Sequence, residues 1–255
     1  MKFTYGNQTV DLFDEQNFPE GLPEKAVVSL SGGCDSSSLV YLIGKYLPEM
    51  KIYPFHMSDE DGRIDTEKAK NVHKFLQDTF PNSVQDLKVY EVKTSDPVWQ
   101  EKAKKMFNDP KRGFIKNEKT GEMVRTWGTI NGCSKAMQNR AARSEMSNTH
   151  NTPAISAMTT NPPVEVQKER GFYEVAERKR DPGNGEKQLT ENWPDGGHTY
   201  APYLRVDKKF VAGGFKEHNL METLYPLTKS CAWSTTEETC GECFWCNEKD
   251  WAFED

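Results

Sequence analysis

The run Ser29-Leu30-Ser31-Gly32-Gly33-Cys34-Asp35-Ser36-Ser37-Ser38 lies between a strand signal and a helix signal, and it restricts the fold more than any other stretch. Ala26 to Leu30 reads as a short buried strand. Leu39, Val40, Leu42, Ile43, Tyr46 and Leu47 then recur at helical spacing, so the turn feeds the start of an amphipathic helix. Such a junction gathers the unpaired N–H groups of a first helical turn, aligned with the helix dipole, over a glycine loop that can take conformations closed to other residues. Ser31, Ser36 and Ser37 add hydroxyl donors. The combination predicts a phosphate site. It is not a Walker loop, because no G-x-x-x-x-G-K-S/T run occurs in the chain.

At 255 residues the chain has room for one generous domain, or one domain with a small appendage. A hydrophobic share of 35% with mean hydropathy −0.81 is low, which predicts polar excursions around an ordinary core. The net charge of −6 argues against a broad surface for holding nucleic acid, while leaving room for a local basic patch. No apolar run approaches a membrane span, and Met1 to Gly6 lacks the apolar core of a signal peptide, so a cytoplasmic protein is expected.

Along the chain, Lys2 to Phe13 alternates around Gly6-Asn7 and predicts a small hairpin or edge extension over 1–24. After the glycine loop and its helix come a second strand, Lys51 to Met57, and the acidic turn Asp59 to Gly62. A helix with Ala69, Val72, Leu76 and Phe80 on one face follows, then a third strand at Leu87 to Val92. This alternation predicts an α/β fold: a parallel sheet covered by helices on both faces, with ligands at the carboxyl ends of the strands. The domain spans 25–225. Polar excursions near 108–125, around the hairpin-like turn Lys119-Thr120-Gly121-Glu122, and 178–198, a long loop or lid, interrupt it. Between them, a helix over 132–146 carries Lys135, Arg140 and Arg143, which could reach phosphates but read more readily as a solvated basic face, and Pro153 to Met158 reads as another strand. Asp207 to His218 predicts a last core helix, against which Gly213-Gly214 argues.

The tail, 226–255, holds Cys231, Cys240, Cys243 and Cys246 in a C-x₈-C-x₂-C-x₂-C pattern. Overlapping C-x₂-C steps present thiolates to one metal ion, and four thiolates favour closed, structural zinc. An iron–sulfur cluster is the competing occupant. Cys34 and Cys133 stand apart from this group.

The pattern Ser31-Gly32-Gly33-Cys34-Asp35-Ser36 resembles the pyrophosphate loop of the N-type ATP pyrophosphatases. Together with Thr228-Lys229-Ser230-Cys231, Cys240-Gly241-Glu242-Cys243-Phe244-Trp245-Cys246 and Trp251-Ala252-Phe253, it resembles the 7-cyano-7-deazaguanine synthase (QueC) family. The resemblance covers residues 25–92 and 200–253; within 108–198 the family's Pro-Gly-Arg-Asn turn and Tyr-Pro-Asp-Cys-Arg segment have no counterpart.

That resemblance implies an adenine nucleotide α-hydrolase-like fold, ATP and magnesium as cofactors, and a structural zinc. Its small-molecule substrates are 7-carboxy-7-deazaguanine and ammonia, with no membrane, no extended nucleic-acid surface, and room for a homodimer. It implies an ATP-binding run of Leu30, Ser31, Gly32, Gly33, Cys34, Asp35, Ser36, Ser37 and Ser38, with Asp35 acting through magnesium. Asp35, Ser36 and Lys208 are the implied catalytic residues, Lys209 being the neighbouring alternative to Lys208. His56 and Met57 either flank adenine or pack the strand end. Three other readings stay open: an enzyme of this kind that stops at the amide, a transfer-RNA thiolase with an iron–sulfur cluster, and a non-catalytic nucleotide sensor.

Overall fold

The computed structural model describes residues 1–59, 64–109, 114–116, 123–125, 129–171, 188–191, 197–231 and 238–254. Strands β1 (Lys2–Tyr5) and β2 (Gln8–Asp11) form an antiparallel hairpin with its own two-stranded sheet. The main layer follows with β3 (Lys25–Ser29), α1 (Cys34–Tyr46), β4 (Lys51–Asp59), α2 (Ile64–Thr79), β5 (Lys88–Val92) and α3 (Pro97–Asn108). A second antiparallel pair, β6 (Phe114–Lys116) and β7 (Met123–Arg125), precedes α4 (Ile130–His150) and β8 (Ala154–Ile155). The chain continues through α5 (Val164–Glu169), β9 (Leu189–Glu191), β10 (His198–Tyr200), α6 (Lys208–Glu217), a 3₁₀ turn at Tyr225–Leu227, and α7 (Phe244–Phe253).

The central sheet has the order β5-β4-β3-β8-β10-β9, and all neighbours pair in parallel except the edge pair β10–β9. Alternation along the strands feeds two cores. Ala26, Val28, Ile52 and Ile155 face the larger one, under α1, α2 and α6, whereas Val27, Phe55 and Ala154 face Met146 of α4. The sheet is therefore covered on both faces, as the β-α-β-α-β pattern predicts. From β3 the chain moves to β4 on one side and returns as β8 on the other, which opens a crevice at the carboxyl end of β3. No helix among the described residues is long and apolar enough to cross a membrane.

Pro54 sits inside β4 without breaking it. Ile52 donates its N–H to Ser83 and accepts from Gln85 on the β5 side, so the alternation turns the missing N–H of Pro54 to that side as well. There β5 begins pairing only at Phe55↔Lys88, and no ladder bond is lost.

Gly213-Gly214 also has a structural reason. The β1–β2 hairpin lies across α6, with Gln8 exchanging hydrogen bonds with the Asp207 cap (both 2.8 Å). A Cβ on Gly213 would sit 2.6 Å from Tyr5 Cβ, and one on Gly214 would sit 3.1 Å from the Tyr5 ring. The glycines admit the hairpin, so their low helix propensity is outweighed by packing.

The expected loop over 178–198 is corrected in part. Leu189–Glu191 is a strand, registered antiparallel as His198↔Glu191 and Tyr200↔Leu189, which extends the sheet by an edge. Residues 178–187 and 192–196 of that loop lie outside the described residues, as do Glu60 to Gly62 and the turn Lys119 to Glu122. The strands on either side of the latter turn do pair, Phe114↔Arg125.

Candidate nucleotide site and cysteine cluster

The loop leaves β3 at the crevice and enters α1 through Gly33, whose backbone is extended and which offers no side-chain cap to the first-turn N–H groups. Its shape is held from within. The Ser31 N–H donates to Ser36 Oγ at 3.1 Å, the Ser37 hydroxyl donates to the Gly33 carbonyl at 2.7 Å, and the Ser36 hydroxyl reaches the same carbonyl at 3.3 Å. Ser36 and Ser37 are therefore buried fasteners of the loop, while Ser31 is exposed at its rim. The sequence expectation that all three are available donors is narrowed accordingly.

The two glycines differ. Gly32 has φ +81°, and a Cβ there would meet the backbone nitrogen of Ala69 at 2.8 Å. The opposing atoms belong to the α2 backbone and cannot swing aside. Gly33 has φ −91° and its Cβ would lie at 3.4 Å from the Lys229 carbonyl, so its backbone conformation does not demand glycine. Gly32→Ala is expected to lose ~2–4 kcal/mol through the left-handed backbone and the overlap together, and Gly33→Ala much less. Denaturant titration of both variants checks this; equal stabilities would contradict the account.

Leu30 buries its side chain, while its carbonyl accepts the Nδ1–H of His56 at 2.9 Å. His56 is buried, and its Nε2 lies 3.3 Å from Thr66 Oγ1, so the ring straps the loop to α2. Met57 packs on the opposite face of the sheet with Phe55 and Tyr90. The structure thus brings His56, and not Met57, to the loop. Ser38 is buried beside the Tyr203 hydroxyl (3.5 Å).

Of the adjacent lysines at the start of α6, Lys208 turns inward and Lys209 lies over the Trp251 ring at 5.0 Å. The Lys208 ammonium, 3% exposed, stands 3.2 Å from Asp35 Oδ2 and 3.0 Å from Glu248 Oε2. Asp35 is the more exposed carboxylate at 26%; Glu248, on α7, is almost fully buried. The charges at the loop thus join three elements distant in sequence. Glu248 has no counterpart among the residues expected from the sequence, since nothing local in Asn247-Glu248-Lys249 signals a partner 40 positions away.

Arg143 departs from the solvated basic face predicted for α4. It is half-buried, and burial together with the positive charge of Arg140 lowers its pKa; it makes no ion pair among the described residues. Two hollows of about 670 and 550 Å³ lie at the amino ends of the strands, next to Lys25. They are at the wrong end of a parallel sheet for the loop's chemistry.

The four tail cysteines converge, with their sulfurs all within 4.8 Å of one another. Cys243 Sγ is 3.4 Å from Cys246 Sγ, which is 3.9 Å from Cys240 Sγ. Tetrahedral zinc with Zn–S of about 2.3 Å needs sulfurs about 3.8 Å apart, so the set fits a single ion. The Cys240 N–H donates to Cys231 Sγ (3.4 Å) and the Cys243 N–H to Cys240 Sγ (3.3 Å), which stabilises thiolate character. Without a metal, burial and the neighbouring Cys243 push the Cys246 thiol up. Cys133 is buried against Ala103 and Met106, outside this group.

No protein-family model matches the chain, and no curated protein matches it in sequence. Solved structures do. An NMN synthetase from Francisella tularensis aligns with TM-score 0.51 at 13% identity, over 95% of this chain and 83% of its own. A glutamine-dependent NAD+ synthetase from Acinetobacter baumannii aligns with TM-score 0.46 at 15% identity, over 82% of this chain, which spans only 33% of that enzyme. The U34-tRNA thiolase NcsA from Methanococcus maripaludis, with its [4Fe-4S] cluster, aligns with TM-score 0.46 at 14% identity over 89% and 64% of the two chains. At these identities the likeness is one of fold, and the chain shares its α/β fold with the NMN synthetase.

Proposed function

We propose that the protein is an ATP-dependent carbon–nitrogen ligase that converts 7-carboxy-7-deazaguanine and ammonia to 7-cyano-7-deazaguanine, through an acyl adenylate and an amide. The observation that carries the ATP chemistry is the Ser31–Ser36 loop at the sheet's crevice with the Lys208 ammonium held against Asp35. A synthetase of the same fold is in keeping with it. The choice of acid rests on the resemblance of both ends of the chain to the QueC family.

A carboxylate is a poor electrophile. In the proposed reaction its oxygen attacks the α-phosphorus of ATP, the α–β phosphoanhydride bond breaks, and pyrophosphate leaves. Ammonia then attacks the acyl carbon, loses a proton, and displaces AMP together with that oxygen. The amide oxygen attacks a second ATP in the same way; loss of AMP and two protons leaves the nitrile. The loop amides and Lys208 hold the departing pyrophosphate, and Asp35 is the residue that would hold magnesium. Magnesium, when bound, neutralises charge on the phosphates. In this reading Cys231, Cys240, Cys243 and Cys246 hold a structural zinc, for which their spacing suits a single ion.

The test is incubation with the acid, ATP, magnesium and ammonium, with products identified by mass spectrometry. A nitrile mass that requires all four is expected. Accumulating amide would keep the ATP chemistry and change the end product, whereas no ATP turnover by folded, zinc-loaded protein would overturn the assignment.

A further inference from the structure

The tail touches the loop before the cysteine cluster and Lys208 of α6 after it. Before Cys231, the Lys229 N–H donates to the Gly32 carbonyl at 2.9 Å, and Thr228 Oγ1 lies 3.1 Å from Cys34 Sγ. After Cys246, the Lys249 ammonium donates to Thr228 Oγ1 at 3.4 Å, and Glu248 meets Lys208. Glu248 and Lys208 are both nearly excluded from water, whereas Asp35 opens to the crevice. A buried ammonium with two carboxylates gives a triad of net charge −1. Its inner member, Glu248, is sealed from water.

We propose that Glu248 is a positioning residue for the phosphate site: it holds the Lys208 ammonium aimed at the loop, so that Lys208 stays in place when Asp35 turns to a magnesium-bound nucleoside triphosphate or pyrophosphate. This rests on the phosphate-site reading above. A lone partner at the mouth of a site is lost as soon as a ligand claims it. Glu248 supplies the second carboxylate from the side that no ligand reaches. Because α7 begins at the cysteine cluster, the tail becomes part of the phosphate site as well as a staple on the fold.

The test uses the full zinc-loaded chain and inorganic pyrophosphate with magnesium as the probe, measured by calorimetry. Glu248→Gln keeps the side-chain volume and leaves Lys208 paired with Asp35. Its affinity for the probe is expected to fall ~10–100-fold, as for other residues that orient a contact group, with zinc content unchanged and a melt establishing that the variant is folded at the assay temperature. Glu248→Asp should recover part of the loss. In a Lys208→Met background, Glu248→Gln should weaken binding no further, because the two act as one unit. Wild-type affinity in Glu248→Gln, or effects that add, would overturn the inference alone. Failure of the wild-type protein to bind the probe would overturn the phosphate-site reading and this inference with it.

Discussion

Asp35→Ala is expected to slow formation of AMP and pyrophosphate from ATP by ~10²–10³-fold, the usual cost of deleting one contact at a developing phosphate charge. The fold should survive. Removing Asp35 leaves the Lys208 ammonium with Glu248 at 3.0 Å, so no buried charge is stranded. Lys208→Met is the harsher change, because it breaks the Lys208–Glu248 pair in the interior, at a cost of ~3–5 kcal/mol. Asp35→Ala therefore separates chemistry from stability. A thermal melt establishes the fold, and a coupled pyrophosphate assay reads the rate. Ser36→Ala should also lower the rate, through a loosened loop, since Ser36 Oγ accepts the Ser31 N–H. Wild-type turnover in both variants would contradict the placement of the site.

The second large effect is at the metal. Cys243 is fully buried in the centre of the cluster, and its loss leaves three thiols that cannot close a tetrahedral site. Cys243→Ser is expected to take zinc from about one per chain to near zero. Structural zinc contributes ~10–16 kcal/mol in small zinc domains. Here the loss should be smaller, because α7 also packs through Trp251 and Ala252 on Ala212. A net loss of ~4 kcal/mol would lower the melting midpoint by ~8–16 °C for a chain of this size. Elemental analysis and a melt measure both quantities. A visible iron–sulfur chromophore in anaerobically purified wild-type protein would contradict zinc and favour the thiolase alternative.

Much of the amino-terminal half is legible in the sequence because its strands are short apolar runs and its helices repeat every three or four residues. The glycine loop, β3 to β5, α1 and α2 all follow from that pattern. Helix α3 is marked at its start, where Asp96 accepts from the Val98 and Trp99 N–H groups and Pro97 opens the first turn, and by an apolar face that buries Ala103 and Met106 beside Phe107. Helix α7 (Phe244–Phe253) starts inside the cysteine motif, whose spacing marks a metal site and gives no helix signal. Gly213-Gly214 argues against α6 in sequence and supports it in structure, since the reason lies in Tyr5, more than 200 residues earlier.

The site divides in the same way. Loop and cysteines are legible because their residues are close in sequence. The pairing of Asp35, Lys208 and Glu248 is not, because burial and a long-range approach create it. Arg143 looks like any exposed basic residue of a polar helix until α4 is packed against the sheet.

In the proposed reaction the protein cleaves ATP between its α- and β-phosphates to activate a carboxylate. Phosphorus NMR of ATP and magnesium with the zinc-loaded chain, with and without 7-carboxy-7-deazaguanine and ammonium, tests it most directly. AMP and pyrophosphate are expected in equal amounts, formed only when the acid is present; ADP and inorganic phosphate, or ATP left intact in the complete mixture, would contradict this chemistry.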